Sequence, residues 1–192
     1  MRIVQWSLFF LVGILGCSTS TPDPTPGSNA YAHLNGQAWS GIINAWQSNA
    51  NSGSCTVNTV NLSIQNKQPY PKARMLAPAF CAGYCGDQSL SFTHIPLATG
   101  TYPLSAHQPC PTTPKQVGVS FTTLSGGDIL LDTYKIDSTQ QGRLTITRYD
   151  SKHREIEGIF DVTLRRVNTR QVTSDAAEVL QFRQGNFWAK LP

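Results

Sequence analysis

The sequence predicts an all-β protein: an antiparallel β-sandwich or barrel of about eight to ten strands with long, disulfide-stapled loops. Three observations carry this. Apolar residues recur with period two through most of the chain after Tyr31. Gly, Pro, Asn, Asp and Ser punctuate the alternating runs as turn residues do. Four cysteines lie in the same region, an even number in a chain that reads as exported.

Each element follows from its own pattern. Tyr31 to Leu34, then Asn35-Gly36, then Gln37 onward reads as a strand, a type I′ turn and a returning strand, because Asn and Gly tolerate the positive φ this turn requires. Trp39, Ile42, Ile43 and Trp46 sit at i, i+3, i+4, i+7, so residues 39–46 are open between a strand and one or two helical turns. Val60, Leu62 and Ile64 alternate with Asn61, Ser63 and Gln65; Leu90, Phe92 and His94 alternate with Ser91 and Thr93. Val117, Val119 and Phe121 repeat the pattern, as do Leu144 and Ile146. Tyr149 to Arg154 forms a polar hairpin loop into the longest run. There Ile156, Gly158, Phe160, Val162 and Leu164 face one way and Glu157, Asp161 and Thr163 the other, with Ile159 the exception. Gly158 inside a strand permits a bulge or a close aromatic neighbour, Phe160 or Tyr149. A short helical turn capped by Ser174 fits residues 174–178. Val179 to Arg183 and Phe187 to Leu191 then pair across Gln184-Gly185-Asn186.

Residues 65–89 and 96–116 are rich in Pro, Gly and Cys and read as long connections. Cys55, Cys81, Cys85 and Cys110 are disulfide candidates, with three possible connectivities. Free thiols and zinc are the rivals: Cys81 and Cys85 with His94, His107 and Cys110 supply zinc-ligand types, but no two-residue knuckle, and no metal site is assigned. Thiol redox chemistry fits less well, since three residues separate Cys81 from Cys85.

The N-terminus reads as an address. Arg2 begins residues 1–16 and Leu8 to Leu15 forms an apolar core of secretory length, too short to span a bilayer. Ile14-Leu15-Gly16-Cys17 resembles the lipobox of bacterial lipoproteins. The resemblance implies cleavage before Cys17, a thioether-linked diacylglycerol on its sulfur, and an acylated (palmitate-type) N-terminus. A thiol is a good nucleophile for taking a lipid, and several acyl chains make a firm anchor. Residues 17–30 carry Pro22, Pro24 and Pro26 among Ser and Thr, a solvated spacer of polyproline character. Residues 31–192 form a single β-domain. Ser18 does not look like an inner-membrane retention signal, and no acidic run follows Cys17, which weakens a case for display outside the cell.

Within the domain, Leu34-Asn35-Gly36-Gln37-Ala38-Trp39, Gly100-Thr101-Tyr102-Pro103-Leu104, Gly142 to Asp150, Ile156 to Phe160 and Gly185-Asn186-Phe187 occur in order. This series resembles small uncharacterised β-rich lipoproteins of the Bacteroidetes type, with their NGxxW, GTYxL and GxLxITxYD…IxGxF motifs. The resemblance spans about residues 31–191 and implies no assigned activity. The four cysteines depart from the family's usual pattern.

Composition narrows the function. The 192 residues carry a net charge of +4, too weak for electrostatic nucleic-acid binding, and only 14% are charged. Ser, Thr, Asn and Gln number 59, filling the polar surface without charge. No Gly-x-Ser-x-Gly elbow, His-Glu-x-x-His or phosphate-binding Gly loop is present. The loop from Asp137 to Gly142 lacks the further acidic ligands of a calcium site. Asp128/Asp132 and Glu155/Glu157 fall at even strand spacing; paired carboxylates serve glycoside hydrolysis, but a solvated strand face is the plainer reading. His33, His94, His107 and His153 are scattered, and His94 reads as a hydrogen-bonded core or edge residue. Arg143, Arg148, Lys152, His153, Arg154, Arg165, Arg166, Arg170 and Arg183 interleave with acids; a charged sheet face is the plain reading, and a weak anion or headgroup contact is the alternative. Trp39, Trp46 and Trp188 can stack on sugars, though aromatics at strand spacing more often build a core.

The sequence therefore points to a cell-envelope lipoprotein, lipid-anchored at Cys17, in the outer membrane of a Gram-negative bacterium. Its expected role is that of a non-catalytic binding or interaction module. Its expected partners are the lipid bilayer, through the acyl anchor, and a protein or glycan of the envelope; no cofactor and no nucleic acid are expected. The alternatives are an envelope hydrolase with its site in the middle loops and a structural subunit of an envelope assembly.

Overall fold

The computed structural model describes residues 29–47, 59–66, 87–106, 116–125, 129–136, 139, 142–169 and 177–192. They form ten strands: β1 (Ala30–Leu34), β2 (Gln37–Gln47), β3 (Thr59–Asn66), β4 (Asp87–Pro96), β5 (Gly100–Ala106), β6 (Val117–Ser125), β7 (Ile129–Lys135), β8 (Arg143–Asp150), β9 (Glu155–Thr169) and β10 (Val179–Lys190). Among the described residues there is no helix.

The sheet closes into a barrel. Its order is β10-β1-β2-β3-β4-β6-β5-β8-β9, and β9 returns to β10. All these pairings are antiparallel except β5–β6. The tenth strand, β7, bridges β6 and β9 directly. β6 and β9 hold the key to this arrangement. At one end of the gap between them, residues 117–119 of β6 and 155–161 of β9 are joined through β5 and β8. At the other end, residues 120–125 and 165–169 are joined through β7 alone. Closure leaves no free edge in the ring, the simplest protection against edge-to-edge pairing.

Alternation puts one face of each strand inside. Val60, Leu62, Ile64, Leu90, Phe92, Val117, Val119, Phe121, Leu144, Phe160, Val162, Leu180 and Phe182 are buried there. A barrel of about eight strands is just wide enough for side chains to fill, and large aromatics occupy this one. Phe182 packs on Trp39 at 5.1 Å and on Phe121 at 5.5 Å; Phe92 packs on Phe160 at 5.3 Å. Tyr134 meets Phe121 at 5.8 Å and donates its hydroxyl hydrogen to the Ala177 carbonyl at 2.9 Å. Burial, reinforced by the Asp132 carboxylate, pushes the Tyr134 phenol up to about 12, so it stays a donor.

The Asn35-Gly36 turn has φ of 50° and 81°, as its type requires. Residues 39–46 form strand, not helical turns: Trp39 and Gly41 point inward, while Ile42 and Trp46 are exposed. Three expectations need correction. Residues 100–106, placed in a long connection, form β5, because Tyr102 and Leu104 are buried and Pro103 faces out. Val179–Lys190 is one strand instead of two joined by a turn: Gln184, at φ 53°, makes a bulge, and its N–H bonds the Asp161 carboxylate at 3.1 Å. The aromatic against Gly158 is Phe187 of β10, while Phe160 lies against Gly185. The turn expected at residues 174–178 falls mostly outside the described residues; Ala177 and Glu178 are not helical.

Candidate functional site

The outward face of β9 presents Glu157, Ile159 and Asp161 in a row. β8 sets Thr145 opposite Ile159 and Arg143 opposite Asp161. On the other side, β10 sets Trp188 opposite Glu157 and Asn186 opposite Ile159, and β1 sets Tyr31 beside Asn186. Two neighbouring grooves result, strung along β9.

The first groove encloses about 480 Å³ and is lined by Asn29, Tyr31, Thr147, Glu157, Ile159, Asn186 and Trp188, with Gly158 and Phe187 beneath. Trp188 is 41% exposed and Ile159 49%. Their frame is fixed by backbone. The Trp188 N–H donates to the Asn29 carbonyl at 2.9 Å, and the Asn29 side-chain oxygen accepts from the Ile43 N–H at 2.7 Å. Among the described residues, the Trp188 indole N–H, the Asn186 carboxamide and the Thr147 hydroxyl have no hydrogen-bond partner within the chain. Glu157 does: Arg148 donates to it at 2.7 Å. The groove thus combines an aromatic face, open polar groups and a charge already neutralised.

The second groove encloses about 780 Å³ and is lined by Thr101, Pro103, Leu104, Gly142, Arg143, Asp161 and Arg183. Arg143 pairs with Asp161 at 3.2 Å. Arg183 is held by neutral oxygens, donating to Thr163 Oγ1 at 2.9 Å and to the Phe182 carbonyl at 3.2 Å. Among the described residues no carboxylate lies within ion-pair distance of Arg183.

Beyond the first groove, the β8–β9 turn carries an exposed ionic cluster. Arg148 reaches Glu157, Asp150 at 3.5 Å and Glu155 at 3.8 Å. The Asp150 carboxylate accepts the N–H groups of Lys152 and His153 at 2.9 and 3.0 Å and the His153 ring at 2.7 Å. The His153 hydrogen bond, helped by these N–H donors, lowers Asp150 to about 2, and the same bond raises His153 above its ordinary value.

Of the three tryptophans weighed for sugar stacking, Trp188 lines the first groove. Trp39 is 4% exposed, and its indole N–H donates to Gln88 Oε1 at 2.6 Å, so it belongs to the core. Trp46 is 43% exposed but lies along β2, away from both grooves. His94 sits at a β-bulge with φ 60°, its N–H held by Asn61 at 2.9 Å. His33 pairs with Arg183 across β1–β10. Glu155 and Glu157 belong to the Arg148 cluster, whereas Asp132 is 2% exposed beside Arg166 at 3.8 Å, a buried ion pair in place of the solvated face expected. Cys17, Cys55, Cys81, Cys85, Cys110, His107 and Asp128 lie outside the described residues. Among the described residues no group of three His, Cys, Asp or Glu side chains is placed to hold a metal ion.

Sequence reasoning missed Tyr31, Thr147 and Asn186 as groove residues. Ile159 was visible as an apolar residue on the polar side of an alternating strand. Comparison with known proteins finds no matching family model, no matching curated protein and no matching solved structure.

Proposed function

We propose that the chain is a cell-envelope lipoprotein, anchored in the outer membrane of a Gram-negative bacterium through Cys17, whose barrel is a non-catalytic binding module for a glycan. The lipobox-like Ile14-Leu15-Gly16-Cys17 and the Pro-rich spacer support the anchor. The observation that carries the binding role is the first groove. Trp188 and Ile159 stay exposed there beside the open polar groups of Asn186 and Thr147. A sugar ring has an apolar C–H face and a rim of hydroxyls. The indole and the isoleucine meet the face; the amide and the hydroxyl meet the rim. A small number of polar groups around an apolar wall is the usual build of a ligand site. The hydrolase alternative rests on residues 65–89 and 96–116, most of which lie outside the described residues.

The test is retention of the full-length protein, in detergent, on a panel of immobilised oligosaccharides. Wild type is retained on at least one member, and Trp188→Ala, at an exposed position, loses that retention while keeping its melting temperature. No retention by wild type, or retention indifferent to Trp188→Ala, overturns the reading.

A further inference from the structure

We propose that the glycan is acidic, its carboxylate or phosphate held between Arg143 and Arg183 in the second groove. This rests on the reading of the Trp188 groove as a sugar site. The two grooves share strands β8, β9 and β10, and the outward residues Glu157, Ile159 and Asp161 run between them. At about 3.4 Å per residue, Glu157 and Asp161 are about 14 Å apart along β9. One short oligosaccharide spans that distance.

The charge differs between the two ends. In the first groove Glu157 is balanced by Arg148. In the second, two guanidiniums face one carboxylate, and Arg143 already occupies it. Arg183 makes no ion pair among the described residues, and its orientation is set beforehand by Thr163 Oγ1 and the Phe182 carbonyl. A guanidinium fixed in this way and lacking a carboxylate presents its remaining N–H donors to an oxyanion, the planar recognition at which arginine excels. The ligand is therefore a saccharide with its neutral ring on Trp188 and its anionic group one or more units along the chain.

The experiment compares neutral, uronic-acid-containing and phosphate-bearing oligosaccharides of equal length on the full-length protein in detergent. Acidic members bind about twofold to fivefold more tightly at low salt, the size of an exposed charge pair. Added salt narrows the gap. Arg183→Gln lowers the acidic members to the neutral level and leaves the neutral ones unchanged. Trp188→Ala weakens both. The uronate and phosphate arms identify which oxyanion is preferred, and a preference for either supports the proposal. Equal binding of neutral and acidic members, with Trp188 still required, overturns the acidic subsite and leaves the sugar groove standing. Acidic binding that survives Trp188→Ala shows a merely basic surface and overturns the two-site ligand. Failure of every member overturns the sugar groove itself, and the acidic subsite with it.

Discussion

Asp150 makes three hydrogen bonds at once. It closes the β8–β9 turn by accepting two backbone N–H groups, and it holds the His153 ring. The consequence for pH follows from the two shifts. His153 is raised above 6.5, so its contribution to stability is complete below 6.5 and is lost as pH rises through the raised value. Asp150 is lowered from 3.8 to about 2, so its contribution is present above 3.8 and is lost as pH falls through about 2. The turn is therefore tightest between about pH 4 and 6.5. NMR titration of the His153 ring checks this. Asp150→Asn brings its midpoint down toward the ordinary histidine value; an unchanged midpoint contradicts the pairing. At this scale the sequence was legible in part. Asn35-Gly36 declared its turn, and Ile159 stood out against its strand. Asn186 did not, because a Gly-Asn pair between two apolar runs has the composition of a turn, and only the Gln184 bulge keeps β10 continuous.

The elements are joined most tightly where side chains are missing. A Cβ on Gly158 would meet the Thr145 carbonyl at 2.6 Å and the Phe187 ring at 2.7 Å. Glycine therefore lets β8, β9 and β10 approach and lets an aromatic cover the vacancy, the same device seen at Gly185 with Phe160. Gly158→Ala is expected to cost about 1–3 kcal/mol by overpacking. Urea unfolding measures it. In a Phe187→Leu background part of that cost is relieved, since the two residues are in contact; full additivity contradicts the account. Six strands, β1, β3, β4, β6, β8 and β9, were legible from alternation and turns, and β10 was read as two strands across a turn. β5 and β7 were not. Pro103 and the short apolar run of β5 read as loop, and Ile129-Leu130-Leu131 in β7 hides the period of two. β2 was ambiguous because Trp39, Ile42, Ile43 and Trp46 satisfy both periods. Exposed Ile42 and Trp46 are what make a strand look like an amphipathic helix.

For the whole molecule, closure of the sheet makes a filled scaffold with both grooves on its outer face. The choice between sandwich and barrel could not be read from alternation, because both bury one face of each strand. It was decided by long-range pairings: β9 with β10, β8 and β7, and β1 with β10. The candidate site was still less legible, since its residues come from β1, β5, β8, β9 and β10 and are brought together only by the pairing register. Its proposed setting depends on the first residues, where a spacer and a lipid would carry this face at a membrane. The most direct measurement of that is intact-mass spectrometry of the protein isolated from its native membrane. The account predicts a chain beginning at Cys17, heavier than the polypeptide by a diacylglycerol and an N-acyl group. A chain cleaved elsewhere, or a Cys17 bearing an unmodified thiol, contradicts it.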